Sequence, residues 1–310
     1  MTDKTVELHC PAKLNMALSV GAANIAHGSM HPIASWMVAL NFADKLTLSV
    51  ANCDKSAFHI RFDEPWPGGQ VDWPLERDLA YRAHQLVSNH VHRPLVVNLS
   101  ITKSIPTGTG LGGGSSNAAG TLVGLNQLFN LNLKQPMLLA LAGRLGCDVM
   151  FQTAALLGQP SAIVTGFGNE LASIPTTTCH ILILIFPPLH CPTPKIYQIF
   201  DDLTSRTKQS DEYAVRQLAQ QYPNNPKALF NDLSESTFTF APSLRRVQQN
   251  LQDQMDRPIY LTGSGSTLFT MADDHVEAVD LSQKITQMTG LKTVITETMV
   301  EASTAKQPGF

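Results

Sequence analysis

Apolar positions along this chain recur with two different periods, and the places where the period changes mark its elements. From Leu95 to Ile105 they alternate, with Val97, Leu99 and Ile101 on one face, as in a half-buried strand. Beyond residue 117 the spacing turns helical: Ala118, Leu122, Leu125 and Phe129 form one stripe, with Ser115 or Ser116 as a suitable N-cap. Similar reasoning predicts strands at Thr5–His9, Leu14–Val20, Lys45–Val50 and Phe58–Phe62, and a helix over Leu79–Asn89. A further helix is expected from Pro136 to Leu145, with the proline in its first turn, Gly146 as its C-cap and Asp148 leading into an apolar strand. The remainder predicts strands at Ala162–Thr165 and Ile181–Phe186 and helices near Asp211–Gln221 and Leu244–Gln254. A hairpin of Ile259–Leu261 with Leu268–Met271, a helix over Val276–Thr289 and a last strand at Lys292–Glu297 complete it.

Strand runs and helix runs mix here without strict βαβ alternation, which points to an α+β fold. The 310 residues suffice for two medium domains, divided near residue 160 into 1–160 and 161–310. With 43% hydrophobic and 15% charged residues the chain is globular and not disordered. A net charge of −3 and a pI of about 6.3 leave no basic surface for nucleic acid or an anionic membrane. The five cysteines are scattered and lack a Cys-x-x-Cys pair, the usage of a cytosolic protein with reduced thiols. Residues 1–10 hold no apolar signal-peptide core, and Ile181–Phe186, the most apolar stretch, is far too short to span a bilayer. A soluble, cytoplasmic monomer or homodimer is expected.

The most informative segment lies where the strand period gives way to the helical one, Pro106-Thr-Gly-Thr-Gly-Leu-Gly-Gly-Gly-Ser-Ser-Asn117. Glycine lets a backbone curl until its N–H groups face one bulky anion, and the helix that follows adds unpaired N–H groups and its positive dipole end. This is a phosphate cradle. It is not a Walker loop, since the glycines run into Ser115-Ser116-Asn117 with no lysine. A dinucleotide fingerprint would place an acid about 20 residues further on, but no Asp or Glu occurs between Asn117 and Asp148. A flexible linker would not lead at once into an amphipathic helix. Three smaller features accompany the loop. Lys13 is charged among Ala12, Leu14, Met16, Ala17 and Leu18; Gly146-Cys147-Asp148-Val149 sets an acid after a glycine; Gly263-Ser264-Gly265-Ser266-Thr267 is a second tight turn. Taken singly, each has an ordinary reading, as a lysine reaching solvent, a turn cap and a hairpin turn.

Their order is what carries meaning. Pro11-Ala12-Lys13-Leu14-Asn15, Gly110-Leu111-Gly112-Gly113-Gly114-Ser115-Ser116-Asn117-Ala118-Ala119, Gly146-Cys147-Asp148-Val149, Pro192-Thr193-Pro194 with Tyr197, Asn231-Asp232-Leu233 and Thr262-Gly263-Ser264-Gly265-Ser266 together resemble the GHMP family of small-molecule kinases. The resemblance covers most of the chain. It implies the family's two-domain α+β fold, with a ribosomal-protein-like N-terminal domain binding ATP and a ferredoxin-like C-terminal domain on the acceptor side. It implies Asp148 as base on the acceptor alcohol and Lys13 as its cationic partner. ATP phosphates would lie against Pro106, Gly108, Gly110, Leu111, Gly112, Gly113, Gly114, Ser115 and Ser116, bridged by Mg²⁺ whose protein ligands are not assigned. Asn15, Met30, His31, Thr193 and Tyr197 map onto acceptor-contacting positions, His31 toward a pyrimidine edge, so the acceptor implied is a small cytidine-diphosphate-linked polyol.

Some positions depart from the family pattern. The usual Asp-Gly-Tyr-His or Asp-Gly-Phe-His appears as Gly28-Ser29-Met30-His31, so Met30 stands where an aromatic ring stacks on cytosine. Stacking contributes about 1–3 kcal/mol per base, and a thioether recovers part of it; Trp36 or Tyr197 could supply the ring. The usual Asp-Asn-Leu near the adenine appears as Arg77-Asp78-Leu79, and Met150 replaces a proline after Asp148-Val149. Met30 keeps open a kinase for another small alcohol, and a nucleotide-binding regulator without turnover is the third alternative.

Overall fold

The computed structural model describes residues 4–64, 66, 71, 73–176, 178–221 and 229–301. In chain order the elements are β1 (Thr5–Val20), β2 (Ile33–Val50), β3 (Ala57–Phe62), α1 (Leu79–His90), β4 (Val97–Lys103), α2 (Gly113–Leu128), α3 (Gln135–Gly143) and α4 (Cys147–Leu156). There follow β5 (Ser161–Thr165), β6 (Glu170–Ser173), β7 (Ile181–Phe186), α5 (Thr193–Leu203), α6 (Glu212–Gln221), β8 (Phe230–Asn231), α7 (Ser234–Phe240), α8 (Pro242–Met255), β9 (Tyr260–Leu261), β10 (Leu268–Ala272), α9 (His275–Thr289) and β11 (Lys292–Glu297). The larger sheet runs β3-β4-β2-β1-β8, with β5 pairing the first half of β2 and β6 pairing β5. The smaller sheet is ordered β11-β7-β10-β9 and is antiparallel throughout.

β1 is one strand where the sequence predicts two. It passes through Pro11 because the β1–β2 register shifts between Pro11 and Lys13, where the missing N–H interrupts no regular ladder. A second shift falls between Asn15 and Ala17. Lys13 and Asn15 thus lie between two irregularities, the usual means by which a strand re-aims side chains. β2 starts at Ile33, well before Lys45, because its first half is buried on both faces and has no alternation to read.

The segment around Asp148 also differs from expectation. α3 ends at Gly143, and Gly146 is the N-cap of α4, not the C-cap of the helix before it. Asp148 therefore sits in the first turn of a helix and not ahead of a strand. α4 is buried continuously from Val149 to Ala155, and a short all-apolar run has no period to separate helix from strand. α2 likewise begins earlier than the serines suggest: its N-cap is Gly112, and Ser115 and Ser116 lie inside its first turn.

Three packed interfaces, between four layers, fix these elements. Leu46, Leu48, Leu99 and Ile101 of the larger sheet meet Ala118, Leu122 and Leu125 of α2. The other face of β1, through Ala12, Leu14 and Met16, packs on Leu182, Leu184 and Phe269 of the smaller sheet and on Leu111 of the glycine loop. Ile183 and Ile185 point from β7 toward Phe200, Leu244, Leu251 and Ile285 of α5, α8 and α9. Among the described residues no helix is long and apolar enough to cross a membrane.

Candidate active site

The loop from Pro106 to Gly112 joins β4 to α2, and its backbone is left-handed at Gly108, Gly110 and Gly112, with φ of 68°, 81° and 70°. Close approach from both sides explains two of these glycines. A Cβ on Gly110 would stand 2.8 Å from the Thr262 carbonyl oxygen and 3.1 Å from that of Gly265; one on Gly112 would stand 2.9 Å from Lys13 Cγ. The loop is clasped between the β9–β10 turn and β1. Lys13 N–H donates to the Leu111 carbonyl at 2.9 Å, and Thr267 N–H to that of Thr109 at 3.3 Å. Asn231 holds the turn from behind, its Nδ2 donating to the carbonyls of Leu261 at 3.0 Å and Gly263 at 2.8 Å.

No side chain caps α2, so the first-turn N–H groups of Gly113, Gly114 and Ser115 are left for another partner, as an anion site requires. Beside them opens a cavity of about 790 Å³, walled by Pro106–Ser115 and by Pro187–His190. Trp66 and Trp73, with Arg77, Asp78 and Leu79, also line it. Asp78 caps α1 by accepting from Ala80 N–H and Tyr81 N–H and also accepts from Trp73 Nε1 at 2.9 Å, which fixes that ring. Ser115 reaches the cavity, whereas Ser116 is fully buried and its hydroxyl has no partner among the described residues.

Lys13 comes from β1 and Asp148 from α4, and the glycine loop brings them together. Lys13 Nζ lies 3.7 Å from Asp148 Oδ2 and donates to Asn15 Oδ1 at 2.7 Å. Asn15 is itself fixed, with Nδ2 donating to Ser35 Oγ at 2.8 Å and its N–H to Thr262 Oγ1 at 3.0 Å. The side chains of Lys13 and Asp148 are 6% and 34% exposed, so the carboxylate alone of this pair meets solvent. An exposed carboxylate beside a sheltered ammonium, next to unpaired N–H groups, can take a proton from a hydroxyl while phosphate charge is held nearby.

On the other side of Asp148, Thr193, His31 and Tyr197 assemble. Thr193 Oγ1 is 2.8 Å from Ser264 Oγ, which ties the start of α5 to the second glycine turn. Burial, and after it the closeness of Cys147 and Asp148, pushes the Tyr197 hydroxyl well above its ordinary pKa. His31 lies 4.7 Å from the Tyr197 ring, tilted at 47°. Met30 is 51% exposed and forms an isolated bridge with Asn24. Trp36 cannot replace the missing ring: it is buried in the core, and its Nε1 donates to Ser161 Oγ at 3.0 Å. Burial, followed by Asp148, pushes the Cys147 thiol up to about 12, in keeping with a packing role.

Two features are absent from the sequence reading. Lys103 is 2% exposed, and its Nζ donates to Asp44 Oδ2 at 2.5 Å and to Asn117 Oδ1 at 2.9 Å. Asp44 Oδ1 also accepts from the N–H groups of Ser104 and Ile105, both at 2.8 Å, which anchors the chain entering the loop. A signal exists in the sequence, because Lys103 continues the inward series Val97, Leu99, Ile101 by period two. The second feature is Gln152, fully buried one turn beyond Asp148, with neither amide atom partnered among the described residues. Its Nε2 would be 3.7 Å from a Cβ on Gly112. No group of three or more metal-ligating side chains occurs among the described residues.

Known proteins share both the sequence and the architecture. Residues 78–162, which contain the glycine loop and Asp148, match the GHMP kinases N terminal domain. A 4-diphosphocytidyl-2-C-methyl-D-erythritol kinase of Paenarthrobacter aurescens is 30% identical over 292 residues, 91% of this chain and 90% of its own. One of Mycolicibacterium smegmatis is 31% identical, covering 94% of this chain and 88% of that relative. A crystal structure of 4-(cytidine 5′-diphospho)-2C-methyl-D-erythritol kinase superposes with a TM-score of 0.73 at 26% identity, over 96% of this chain and 100% of that one. The fold extends to a mevalonate kinase of L. major, with a TM-score of 0.72 at 13% identity. With its glycine loop, its Lys13–Asp148 pair and relatives this similar over nearly their full length, the chain belongs to the GHMP kinases, a family of ATP-dependent small-molecule kinases.

Proposed function

We propose that this chain transfers the γ-phosphoryl group of ATP to a hydroxyl of 4-diphosphocytidyl-2-C-methyl-D-erythritol, a step of non-mevalonate isoprenoid precursor biosynthesis. The relatives' names supply the acceptor. The observation that carries the reading is the placement of Asp148, which lies 3.7 Å from Lys13 Nζ and beside Tyr197, with the phosphate loop on one side and His31 on the other. The triphosphate lies against the N–H groups of Gly113, Gly114 and Ser115, and the adenine beside Trp66 and Trp73. Asp148 accepts the proton of the attacking hydroxyl, and Lys13 steadies the alkoxide charge as it develops. Lys13 stays directed at that point because Asn15 Oδ1 accepts from its Nζ and Ser35 holds Asn15. Tyr197 and His31 receive the cytosine, and Thr193 the end of the acceptor nearest the second glycine turn.

The residues present fit Mg²⁺ held mainly by nucleotide phosphates. This ion keeps several waters and takes few protein ligands beyond the phosphates, and Ser115 and Thr107, which line the cavity, would offer it hydroxyl oxygens. When bound, it neutralises phosphate charge.

The test is ADP release in the presence of ATP and Mg²⁺, with the cytidine compound offered against mevalonate, homoserine and galactose. Turnover of the cytidine compound alone is expected. Turnover of another alcohol, with none of the cytidine compound, would overturn the acceptor and favour the second reading, a GHMP kinase for a base-free alcohol, which the exposed Met30 motivates.

A further inference from the structure

His31 is gripped from one helix. Tyr197, Phe200 and Asp201 stand at i, i+3 and i+4 on α5 and so share a face. The Phe200 ring meets the imidazole edge-on at 6.0 Å, Tyr197 tilts against it at 4.7 Å, and Asp201 Oδ1 lies 2.8 Å from its Nε2. The His31 side chain is 8% exposed and that of Asp201 42%. Two rings and a carboxylate therefore set the orientation of an imidazole that is itself sheltered.

The contact also sets where its hydrogen sits. A carboxylate oxygen offers only lone pairs, so the hydrogen shared with Asp201 belongs to Nε2. In the neutral ring Nδ1 then carries a lone pair and acts as an acceptor. No partner for Nδ1 occurs among the described residues. An acceptor at a pyrimidine edge reads the group at position 4. Cytosine presents an amino donor there, whereas an oxo-pyrimidine presents a second acceptor, leaving two lone pairs opposed.

We propose that Asp201 is a positioning residue that holds His31 with Nδ1 as acceptor and thereby selects an amino-bearing pyrimidine over an oxo-bearing one in the acceptor. This rests on the reading that a pyrimidine lies against His31. A buried mismatch of this kind lowers kcat/KM by about ten- to a hundredfold.

The experiment compares kcat/KM for the cytidine compound and for its uridine counterpart, in the wild type, Asp201→Asn and Asp201→Leu, together with ¹⁵N spectra of the His31 ring. The wild type is expected to prefer cytidine by about ten- to a hundredfold, with its hydrogen on Nε2. The asparagine amide can donate to Nε2 as well as accept from it, so Asp201→Asn loses most of the preference. That loss comes through a higher KM for the cytidine compound, with kcat within about twofold and the KM for ATP unmoved. Asp201→Leu removes the partner altogether and gives the same loss. A merely structural Asp201 would lower stability and leave the cytidine-to-uridine ratio where it was. The inference is overturned by an unchanged ratio in both variants, or by a wild-type ¹⁵N spectrum with the hydrogen on Nδ1. Equal wild-type turnover of both compounds defeats this inference alone. Turnover of neither, with ATP still protecting the protein against unfolding, defeats the acceptor reading and this inference with it.

Discussion

Replacing Asp44 by alanine tests whether the entry to the phosphate loop is fixed by buried charge. The Asp44 carboxylate is fully buried and accepts from four donors: Lys103 Nζ at 2.5 Å, Asn117 Nδ2 at 2.9 Å, and the N–H groups of Ser104 and Ile105 at 2.8 Å. Breaking a buried ion pair by removing one partner costs about 3–5 kcal/mol, because the other charge stays behind. Each backbone N–H left unpaired adds about 1–3 kcal/mol, although water entering the gap makes these terms less than additive. A net loss of about 4–6 kcal/mol is expected, against a total stability of about 5–15 kcal/mol for a folded protein. Asp44→Asn is gentler, since its amide oxygen can keep both backbone donors while the charge is lost, and about 2 kcal/mol is expected. Equilibrium urea unfolding gives these values, and the KM for ATP reports the loop. The double variant Asp44→Asn with Lys103→Met removes both charges and should recover at least about 2 kcal/mol of the summed single losses. Coupling within about 0.5 kcal/mol of zero, or a loss below about 1 kcal/mol in Asp44→Ala, would refute the argument.

Four further outcomes are expected. Asp148→Asn should lower kcat by about 10²- to 10⁴-fold while ATP still raises the unfolding temperature, and near-normal turnover would end its assignment as base. Gln152→Met should stabilise the protein by about 1 kcal/mol, since an unpartnered buried amide gives way to an apolar group of similar shape; thermal unfolding that shows a loss would mean the amide has a partner. Met30→Tyr should lower the KM for the cytidine compound about tenfold if a ring is what the site lacks, and no change would mean the base lies elsewhere. Stability should fall at both ends of the pH range. Burial, followed by the Asp44 charge for Cys10 and by that of Asp148 for Cys147, pushes both thiols up to about 12 from an ordinary 9.0. The unfolded chain therefore releases these protons first, and stability present below pH 9.0 is lost as the pH rises toward 12. Burial depresses His84 below its ordinary 6.5, so stability is also lost as the pH falls below that value. A urea midpoint that stays flat across either range would contradict the respective assignment.

What the sequence discloses depends on which faces an element buries. β4 alternates legibly because one face packs on α2 while Asn98, Ser100 and Thr102 look outward. The glycine loop is legible because its backbone demands a residue type and not a pattern. The first half of β2 and the whole of α4 are not, because elements buried all round carry no period. The pairing of Lys13 with Asp148 is implied by the family resemblance, whereas for the Lys103–Asp44 pair the period-two series turns Lys103 inward without naming a partner 59 residues away. Trp36 shows the converse: composition offers it as a stacking ring, and only packing shows that it belongs to the core. The grip of Asp201 on His31 likewise depends on α5, a helix not among the predicted elements although Ile196, Phe200 and Leu203 recur at helical spacing, and on a contact between residues 170 positions apart.

Two lysine–aspartate pairs flank the same loop, and their environments give them opposite properties. Lys103 and Asp44 meet at 2.5 Å with side chains 3% and 0% exposed, and every oxygen of the carboxylate is occupied. A carboxylate so engaged cannot take another proton without breaking the network that anchors Ser104 and Ile105. Lys13 and Asp148 stand 3.7 Å apart, beyond hydrogen-bond range, and among the described residues the other Asp148 oxygen has only a 3.9 Å thiol contact. Its lone pairs remain available, and its 34% exposure admits a hydroxyl. Exchange of Lys13 donors toward Asn15 leaves the ammonium close enough to act electrostatically without sealing the carboxylate. The separation between these two carboxylates, one saturated and one open, is set by the register shifts that place Lys13 on β1 and by the Gly146 cap that starts α4 at Cys147. Moving either backbone feature would change how open the Asp148 carboxylate is, so the short motifs around Lys13 and Asp148 constrain this pair more than the two charges alone do.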